Sequence, residues 1–216
     1  MGVSERKERE KQELRQSILD AAMALFLEYG YDKVSIRNIA ERIEYSPGTI
    51  YLYFKDKDDI FFSLHLMAFE KLWESMTQSA GIPDPLERIR SIGHTYLDFA
   101  IQNPDLYDLM FILRDPMNAL DPACIWEEGC KSYDFLKDAI VEAMNNGQLP
   151  TSDPDVVSIS AWAIVHGLAS LHIRNRLKMF EDKVLSELIH QCVDQWMLML
   201  RCAGCHPHPL GEKAAT

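Results

Sequence analysis

The sequence contains no uninterrupted apolar run of about 18 residues, the length expected of a membrane-spanning helix. Its first 15 residues, MGVSERKEREKQELR, are charged and lack the apolar segment of a secretory signal. Only five cysteines occur in 216 residues, and three of them lie within helical patterns, where reduced cytosolic thiols are expected. Together these absences predict a cytoplasmic protein that does not bind a membrane.

Sequence signatures of catalysis are also missing. There is no Gly-rich phosphate loop, no Gly-x-Ser-x-Gly and no His-Glu-x-x-His. The adjacent acidic pairs at 58–59 and 127–128 would point about 100° apart on a helix, so neither pair can flank one substrate. We therefore predict neither an enzyme nor a bound cofactor.

Strand patterns are absent as well, since no segment alternates apolar and polar residues convincingly. Apolar residues recur at helical spacing instead, and Pro, Gly and Asp-Pro pairs divide the chain into about nine helices. The predicted fold class is all-α, and an apolar content of 47% is ample for buried cores.

The stretch 33–57, KVSIRNIAERIEYSPGTIYLYFKDK, is typical of two short helices joined by a tight turn. Ser35 and Ser46 are suitable N-caps, and Pro47 stands where its missing N–H costs nothing. The second helix should be about two turns long, with hydroxyls exposed between buried Ile50 and Phe54. Such a helix suits the DNA major groove, because its first turn can approach base edges while phenols and ammonium groups reach phosphates.

This stretch resembles the DNA-binding domain of TetR-type transcriptional regulators. The likeness runs from about Leu14 to Leu64 and rests on Val-Ser-Ile-Arg-x-Ile-Ala followed by Ser-x-Gly-x-Ile-Tyr-x-Tyr-Phe-x-x-Lys. It implies an N-terminal three-helix domain with a helix-turn-helix and a larger C-terminal helical bundle. Carried over position by position, it implies nine DNA-contacting residues: Arg37, Ser46, Pro47, Gly48, Thr49, Tyr51, Tyr53, Lys55 and Lys57.

The net charge of −11 is unusual for a DNA-binding protein, so its distribution matters. Residues 1–57 hold ten basic and ten acidic side chains, whereas 58–216 hold twelve basic and 23 acidic ones. An acidic remainder would turn the neutral N-terminal part toward DNA. Helix 1 is predicted from about Lys11. Residues 1–12 alternate Lys or Arg with Glu, which predicts either a solvated helical extension or an arm that touches phosphates.

The last two long helices, predicted near 153–174 and 181–201, carry more apolar residues than a peripheral helix of a monomer needs. This pattern predicts a four-helix homodimer interface, and the resemblance implies the same. A two-fold dimer would place two recognition helices on a near-palindromic DNA operator. The expected interface residues are Val157, Ala161, Val165, Leu168, Leu185, Ile189, Val193 and Trp196.

The resemblance implies a DNA-binding domain over 1–57 and an effector-binding and dimerisation domain over 58–201. The residues after the last predicted helix, 202–216, are expected to form a flexible tail. The implied function is a ligand-responsive regulator, a repressor by preference, that a small effector releases from its operator. Aromatic and Met-rich linings suit apolar or aromatic effectors. The candidate pocket residues are Tyr96, Phe99, Tyr107, Met110, Phe111, Trp126, Tyr133, Trp162 and His166.

The pattern Trp162-x-x-x-His166-Gly167 resembles the Trp-His-Gly signature of one C-terminal subtype of this family. His166 has two interpretations, a core histidine or a pocket ligand. Gly167 is expected to permit close helix packing.

Cysteine and histidine cluster in the tail at Cys202, Cys205, His206 and His208. The spacing matches a c-type haem attachment pattern and would also suit a soft metal such as zinc. Haem attachment of that type needs export, and no export signal is present, so we expect a tail without metal. A metal- or thiol-responsive regulator that senses through this tail is the alternative function.

Overall fold

The computed structural model describes residues 3–113 and 127–202. Over these residues the chain forms nine α-helices, two short 3-10 helices and no strand, which confirms the all-α prediction. Packing divides them into two compact units. We call residues 3–70 with 105–113 the head, and residues 71–104 with 127–202 the body.

The head packs its helices around one apolar core. Its helices are α1 (Val3–Tyr29), α2 (Ile36–Arg42), α3 (Pro47–Ile50), the first part of α4 (Lys57–Thr77) and α6 (Pro104–Phe111). The largest fully buried side chains of the core are Ile18, Leu19, Ile39, Ile50, Ile60, Phe61 and Leu109. Because Leu109 comes from α6, the unit that holds the helix-turn-helix extends beyond the expected boundary at residue 57.

Helix α1 begins at Val3, so the expected start near Lys11 was wrong. The extra turns are exposed and are stabilised by ion pairs one turn apart, Arg6 with Glu10 at 2.7 Å and Arg9 with Glu13 at 3.5 Å. The alternating charges therefore form a solvated helical extension, the first of the two interpretations.

The body is built on a central helix, α5. Its helices are α5 (Pro85–Gln102), α7 (Glu127–Asn145), α8 (Pro154–Ile173) and α9 (Asp182–Cys202). Helix α5 contacts the other three. A side chain at Gly93 would come within 3.1 Å of Val193 Cγ1 and 3.6 Å of Val165 Cγ1, so this glycine lets α5 approach α8 and α9 closely. A side chain at Gly167 would meet no atom of residues 3–113 or 127–202 within 4 Å. The close packing expected at Gly167 is therefore wrong within these residues.

Helix α8 carries more apolar surface than the chain itself covers. Among the described residues, α8 is the helix that could cross a membrane by length and composition, and most of its residues are not buried. Serine and histidine residues interrupt its apolar residues, so the sequence shows no unbroken run. Val156, Ile159 and Leu171 are all exposed on it. The described part of the chain therefore leaves an apolar face of α8 exposed.

Candidate nucleic-acid interface and effector site

The turn between α2 and α3 is closed by backbone hydrogen bonds. Ser35 caps α2 as predicted, since its Oγ accepts from the Asn38 amide at 3.2 Å. At the other end the Tyr45 amide donates to the Ala40 carbonyl at 2.9 Å, and Glu44 has a left-handed φ of 59°. This is the Schellman arrangement, in which glycine is the usual residue at the position that Glu44 holds.

We expect Glu44→Gly to raise the free energy of unfolding by about 0.5–1 kcal/mol. A left-handed conformation costs an L-residue about 1–2 kcal/mol, and glycine avoids this cost at a smaller loss of chain entropy. Urea denaturation measures the change. Glu44→Ala is the matched control, because it removes the same carboxylate but keeps the strained backbone and should bring no gain. An equal gain in both variants would contradict the argument from backbone conformation.

Helix α3 starts as the sequence predicts but is shorter than expected. Ser46 Oγ accepts from the Thr49 amide at 3.2 Å, and Pro47 occupies the first helical position. The α-helical part is a single turn rather than two, and the chain then tightens, with the Leu52 amide donating to the Thr49 carbonyl at 3.2 Å. Burial of Ile50 and Phe54 holds this tighter turn against the head core.

The surface opposite Ile50 and Phe54 is the one that α3 offers to a ligand. Pro47 and Gly48 are exposed on it, and Tyr51 is 57% exposed. Leu52 is 79% exposed and is a residue that the sequence analysis missed. Its spacing indicates this exposure, because Leu52 lies four residues after Gly48 and away from the buried Ile50 and Phe54. Tyr53 differs from Tyr51, because it is half-buried and packs against the head core.

The three basic side chains expected at this surface are held differently. Arg37 donates from Nε to Glu41 Oε1 at 2.9 Å on the exposed side of α2, and this bond raises its pKa. Lys55 is exposed. Lys57 is half-buried, with Nζ donating to the Tyr31 carbonyl at 3.1 Å and lying 3.8 Å from the centre of the Tyr31 ring. Lys57 therefore joins the start of α4 to the 3-10 helix Tyr31–Lys33, which follows α1.

Three of the expected effector residues meet in the body between α5 and α8. The Tyr96 hydroxyl lies 3.1 Å from His166 Nδ1, and Trp162 Nε1 donates to the same hydroxyl at 3.5 Å. Burial, with a smaller effect of the Arg174 charge, lowers the pKa of His166. The imidazole is thus neutral near pH 7, and its Nδ1 can accept a hydrogen bond from the Tyr96 hydroxyl. Phe99 is buried on the same helix as Tyr96.

The structure does not bring the remaining expected pocket residues to this group. Tyr107, Met110 and Phe111 belong to the head. Tyr133 donates to Asp155 Oδ1 at 2.6 Å, and burial together with that carboxylate raises its pKa to about 12, so it ties α7 to the start of α8. Trp126 lies outside the described residues.

Two open clefts lie away from the predicted effector residues. One of about 460 Å³ lies on the head, and one of about 290 Å³ runs along the outer surface of α9. The second is lined by Val184, Glu187, Leu188 and Gln191.

Most of the residues expected at a dimer interface are covered by their own chain. Ala161, Val165, Leu185, Ile189 and Val193 are buried, whereas Val157, Leu168 and Trp196 are half-buried. The buried five lie on the inner faces of their helices, which the sequence pattern could not separate from the outer faces. The large apolar residues that are exposed on these helices are Val156, Ile159, Leu171, Val184, Leu198 and Met199.

The tail residues Cys205, His206 and His208 lie outside the described part of the chain, and Cys202 is exposed at the end of α9. Within residues 3–113 and 127–202, no group of three or more His, Cys, Asp or Glu side chains is placed to hold a metal ion.

Two family models match the chain. One, for bacterial regulatory proteins of the tetR family, matches residues 18–64, and the other, for the tetracyclin repressor-like C-terminal domain, matches residues 89–195. The first covers the helix-turn-helix and the second covers most of the body. The Trp-His-Gly subtype expected from Trp162 and His166 stays a prediction.

Similar proteins are named as transcriptional regulators. The HTH-type transcriptional repressor KstR of Mycolicibacterium smegmatis is 36% identical over 150 residues, which cover 66% of this chain and 68% of that protein. The HTH-type transcriptional regulator AcrR of Shigella flexneri is 26% identical over 182 residues, covering 81% and 83%. The structure of FadR from Bacillus subtilis in complex with stearoyl-CoA shares the fold, with a TM-score of 0.66, 20% identity, and coverage of 88% of this chain and 99% of that chain.

Proposed function

Since the chain belongs to the TetR family of DNA-binding transcriptional regulators, we propose that it is a cytoplasmic repressor that binds a near-palindromic operator as a homodimer. A small apolar or aromatic effector in the body releases it. In this proposal residues 1–57 form the DNA-binding domain and residues 58–201 bind the effector and the second copy. The observation that carries the proposal is the exposed surface of α3, which combines small, hydroxyl and apolar groups beside Lys55.

The exposed surface of α3 divides by chemistry into two kinds of contact. Pro47, Gly48, Thr49 and Leu52 are assigned to base edges, with the Leu52 side chain suited to a thymine methyl group. Hydroxyl and charged groups suit phosphates, which fix the register of the protein on the duplex. To phosphates we assign Ser46, Tyr51, Tyr53, Lys55 and the exposed Arg37. Lys57 is assigned a positioning role, because its ammonium group is bonded inside the head.

Selection of bound fragments from genomic or random DNA by the purified full chain tests the proposal. We expect one near-palindromic sequence whose half-sites lie about one helical turn or more apart. The selection is repeated across a range of salt concentrations, because contacts to phosphates weaken steeply with salt. Recovery of weakly bound fragments that share no sequence would overturn the operator proposal.

The homodimer is assigned to the exposed apolar faces of α8 and α9. Residues 156, 159, 163, 167 and 171 follow one another at helical spacing on α8, with Ala163 and Gly167 as small residues between larger apolar ones. Within the part of the chain that the structure describes, no neighbouring atom requires a glycine at position 167, although glycine inside a helix costs about 1 kcal/mol relative to alanine. A closely approaching helix of a second copy would supply this requirement.

We expect Gly167→Leu to raise the dimer dissociation constant by at least about tenfold, because overpacking a close contact costs about 1–3 kcal/mol. Analytical ultracentrifugation over a concentration series measures it. Glu74→Leu, which adds the same side chain at an exposed site on α4, is the matched control and should leave the constant unchanged. Equal dissociation constants for Gly167→Leu and the unmodified chain would remove α8 from the interface.

The effector is assigned to the group of Tyr96, Trp162 and His166. A neutral imidazole and an indole N–H, with Phe99 buried three residues after Tyr96 on α5, suit a ligand with an apolar body and a hydrogen-bonding group. The effector must bind more tightly to the state whose two heads do not match the operator, since only differential affinity shifts the population.

A further inference from the structure

The buried residues described on α7 include one polar side chain, Ser132. They follow one another at helical spacing along a single face of the helix: Ser132, Leu136, Ala139, Ile140 and Ala143. Helix α7 contacts α5 and α8, so this face is turned toward the interior of the body. A hydroxyl group therefore lies on a face whose other members are apolar.

The Ser132 hydroxyl has no hydrogen-bond partner among residues 3–113 and 127–202, and its Oγ is closed to solvent. Only 8% of the residue is exposed. Ser158 on α8 is also buried, but its Oγ donates to the Pro154 carbonyl at 2.7 Å. Most buried polar groups are hydrogen-bonded, because an unpaired one loses its hydration without compensation. The fold therefore leaves Ser132 without the partner that a buried hydroxyl ordinarily has.

Two polar contacts fix the direction of α7 relative to α5. Arg88 Nη1 donates to Glu142 Oε2 at 2.8 Å, and Gln148 Nε2 donates to Asp84 Oδ1 at 2.9 Å. The later residue of the α5 segment thus pairs with the earlier residue of the α7 segment. The two helices run antiparallel, so the beginning of α7 lies beside the end of α5.

This register brings Ser132 to the level of the proposed effector residues. From the first of those two contacts, Tyr96 lies about 12 Å along α5 and Ser132 lies about 15 Å along α7 in the same direction. At this level α5 also carries the buried Phe99. Tyr133, next to Ser132, donates to Asp155 Oδ1 at 2.6 Å, which places the first turn of α8 beside this part of α7.

The chemistry around Ser132 favours an uncharged ligand group. Its hydroxyl supplies one donor, and the other buried residues described on α7 are apolar. A carboxylate or phosphate bound there would give up its hydration for that single donor, which costs more than one hydrogen bond returns. A carbonyl or hydroxyl oxygen loses far less hydration, so one donor is enough for it.

We propose that Ser132 is a hydrogen-bonding residue of the effector site, and that the effector presents an uncharged carbonyl or hydroxyl oxygen to it. The proposal rests on the assignment of the effector to Tyr96, Trp162 and His166. It adds α7 to a site that those residues form on α5 and α8. It also narrows the effector to an apolar or aromatic compound with a neutral oxygen at this point. Ser132 is then unpaired only in the protein without effector.

Urea denaturation of the full chain tests whether the hydroxyl is unpaired, after refolding from urea to remove any bound compound. Ser132→Ala should lower the unfolding equilibrium constant about tenfold, because it removes a buried hydroxyl without a partner. Ser186→Ala, at an exposed position of α9, measures the gain in helix propensity alone and should lower this constant about twofold. Ser158→Ala removes a paired hydroxyl and should raise it. A rise for Ser132→Ala as well would overturn the proposal.

Ligand-observed NMR with acetophenone, ethylbenzene and benzoate tests the class of ligand. The three compounds share a benzene ring and differ in the group that would face Ser132. We expect the unmodified chain to bind acetophenone most tightly, and Ser132→Ala to lower the affinity for acetophenone about three- to tenfold. The affinity for ethylbenzene should not change. Equal acetophenone affinities in the two chains, tightest binding of benzoate, or no binding of acetophenone would each overturn the proposal.

Trp162→Phe separates this proposal from the effector assignment on which it rests. The variant removes the indole N–H that donates to Tyr96 and leaves Ser132 in place. If Trp162→Phe loses acetophenone and Ser132→Ala binds it as the unmodified chain does, the effector site stands and Ser132 is not part of it. If both variants bind acetophenone unchanged, the effector assignment fails as well. None of these measurements uses DNA, so they are independent of the operator proposal.

Discussion

Replacing Tyr51 with alanine should weaken operator binding on the order of 100-fold while leaving the fold intact. The side chain is 57% exposed on the surface of α3, so its removal creates no cavity. A hydrogen bond to a charged phosphate contributes about 1.5–3 kcal/mol, which is roughly tenfold or more for each half-site. A dimer that contacts two half-sites loses this contribution twice.

Fluorescence anisotropy with the selected operator measures the affinity, and urea denaturation checks the fold. Tyr29→Ala is the matched control, because Tyr29 is 50% exposed but stands at the end of α1, outside the motif. Tyr29→Ala should change the affinity for the operator by no more than about twofold relative to the unmodified chain, as expected of a surface substitution. If both tyrosine variants bind equally well, Tyr51 does not contact DNA.

Salt dependence separates the roles of Tyr51 and Lys55. A phenol is uncharged, so Tyr51→Ala should lower the affinity without changing the slope of log affinity against log salt. Lys55→Ala should reduce that slope by about one for each lysine that neutralises a phosphate. An unchanged slope in Lys55→Ala would exclude a phosphate contact by Lys55.

Replacing Leu109 with alanine should lower the free energy of unfolding by about 2–5 kcal/mol. Leu109 is fully buried in the head core, although it lies on α6, far along the chain from the helix-turn-helix. Deletion of its methyl groups removes apolar burial and leaves a cavity that the surrounding helices fill only in part. The loss would be a large share of the stability of an ordinary domain.

Urea or thermal denaturation measures this effect, with Ile112→Ala as the control. Ile112 directly follows α6 and is 40% exposed, so its truncation should cost much less. A small effect of Leu109→Ala would mean that α6 is not part of the head core.

Much of the head could be predicted from the sequence because its signals are local. Ser35, Ser46 and Pro47 act on the backbone within three residues of themselves, so their capping roles follow from their identity and spacing. The same holds for Asp84, which caps α5 by accepting from the Leu86 amide at 3.0 Å. Helical periodicity likewise predicted the fold class.

Tertiary structure decided which faces of the long helices are buried and which are exposed. Helix α8 is apolar on both faces, so no pattern could show that Ala161 and Val165 turn inward while Ile159 stays exposed. Lys57 illustrates the same limit for charge. Its place in the motif suited a phosphate, but the fold brings its ammonium group to the Tyr31 carbonyl.

Contacts between distant residues had no local signal at all. His94 and His190 are 96 positions apart, yet their Nδ1 atoms lie 2.7 Å from each other. Neither residue has a neighbour in sequence that marks it as one half of this contact. Leu109 joins the head core in the same way. The sequence by itself determined the helices, their caps and the helix-turn-helix motif, because those depend on residues within about one helical turn of each other. Only packing decided which side chains meet, because that depends on how whole helices cross.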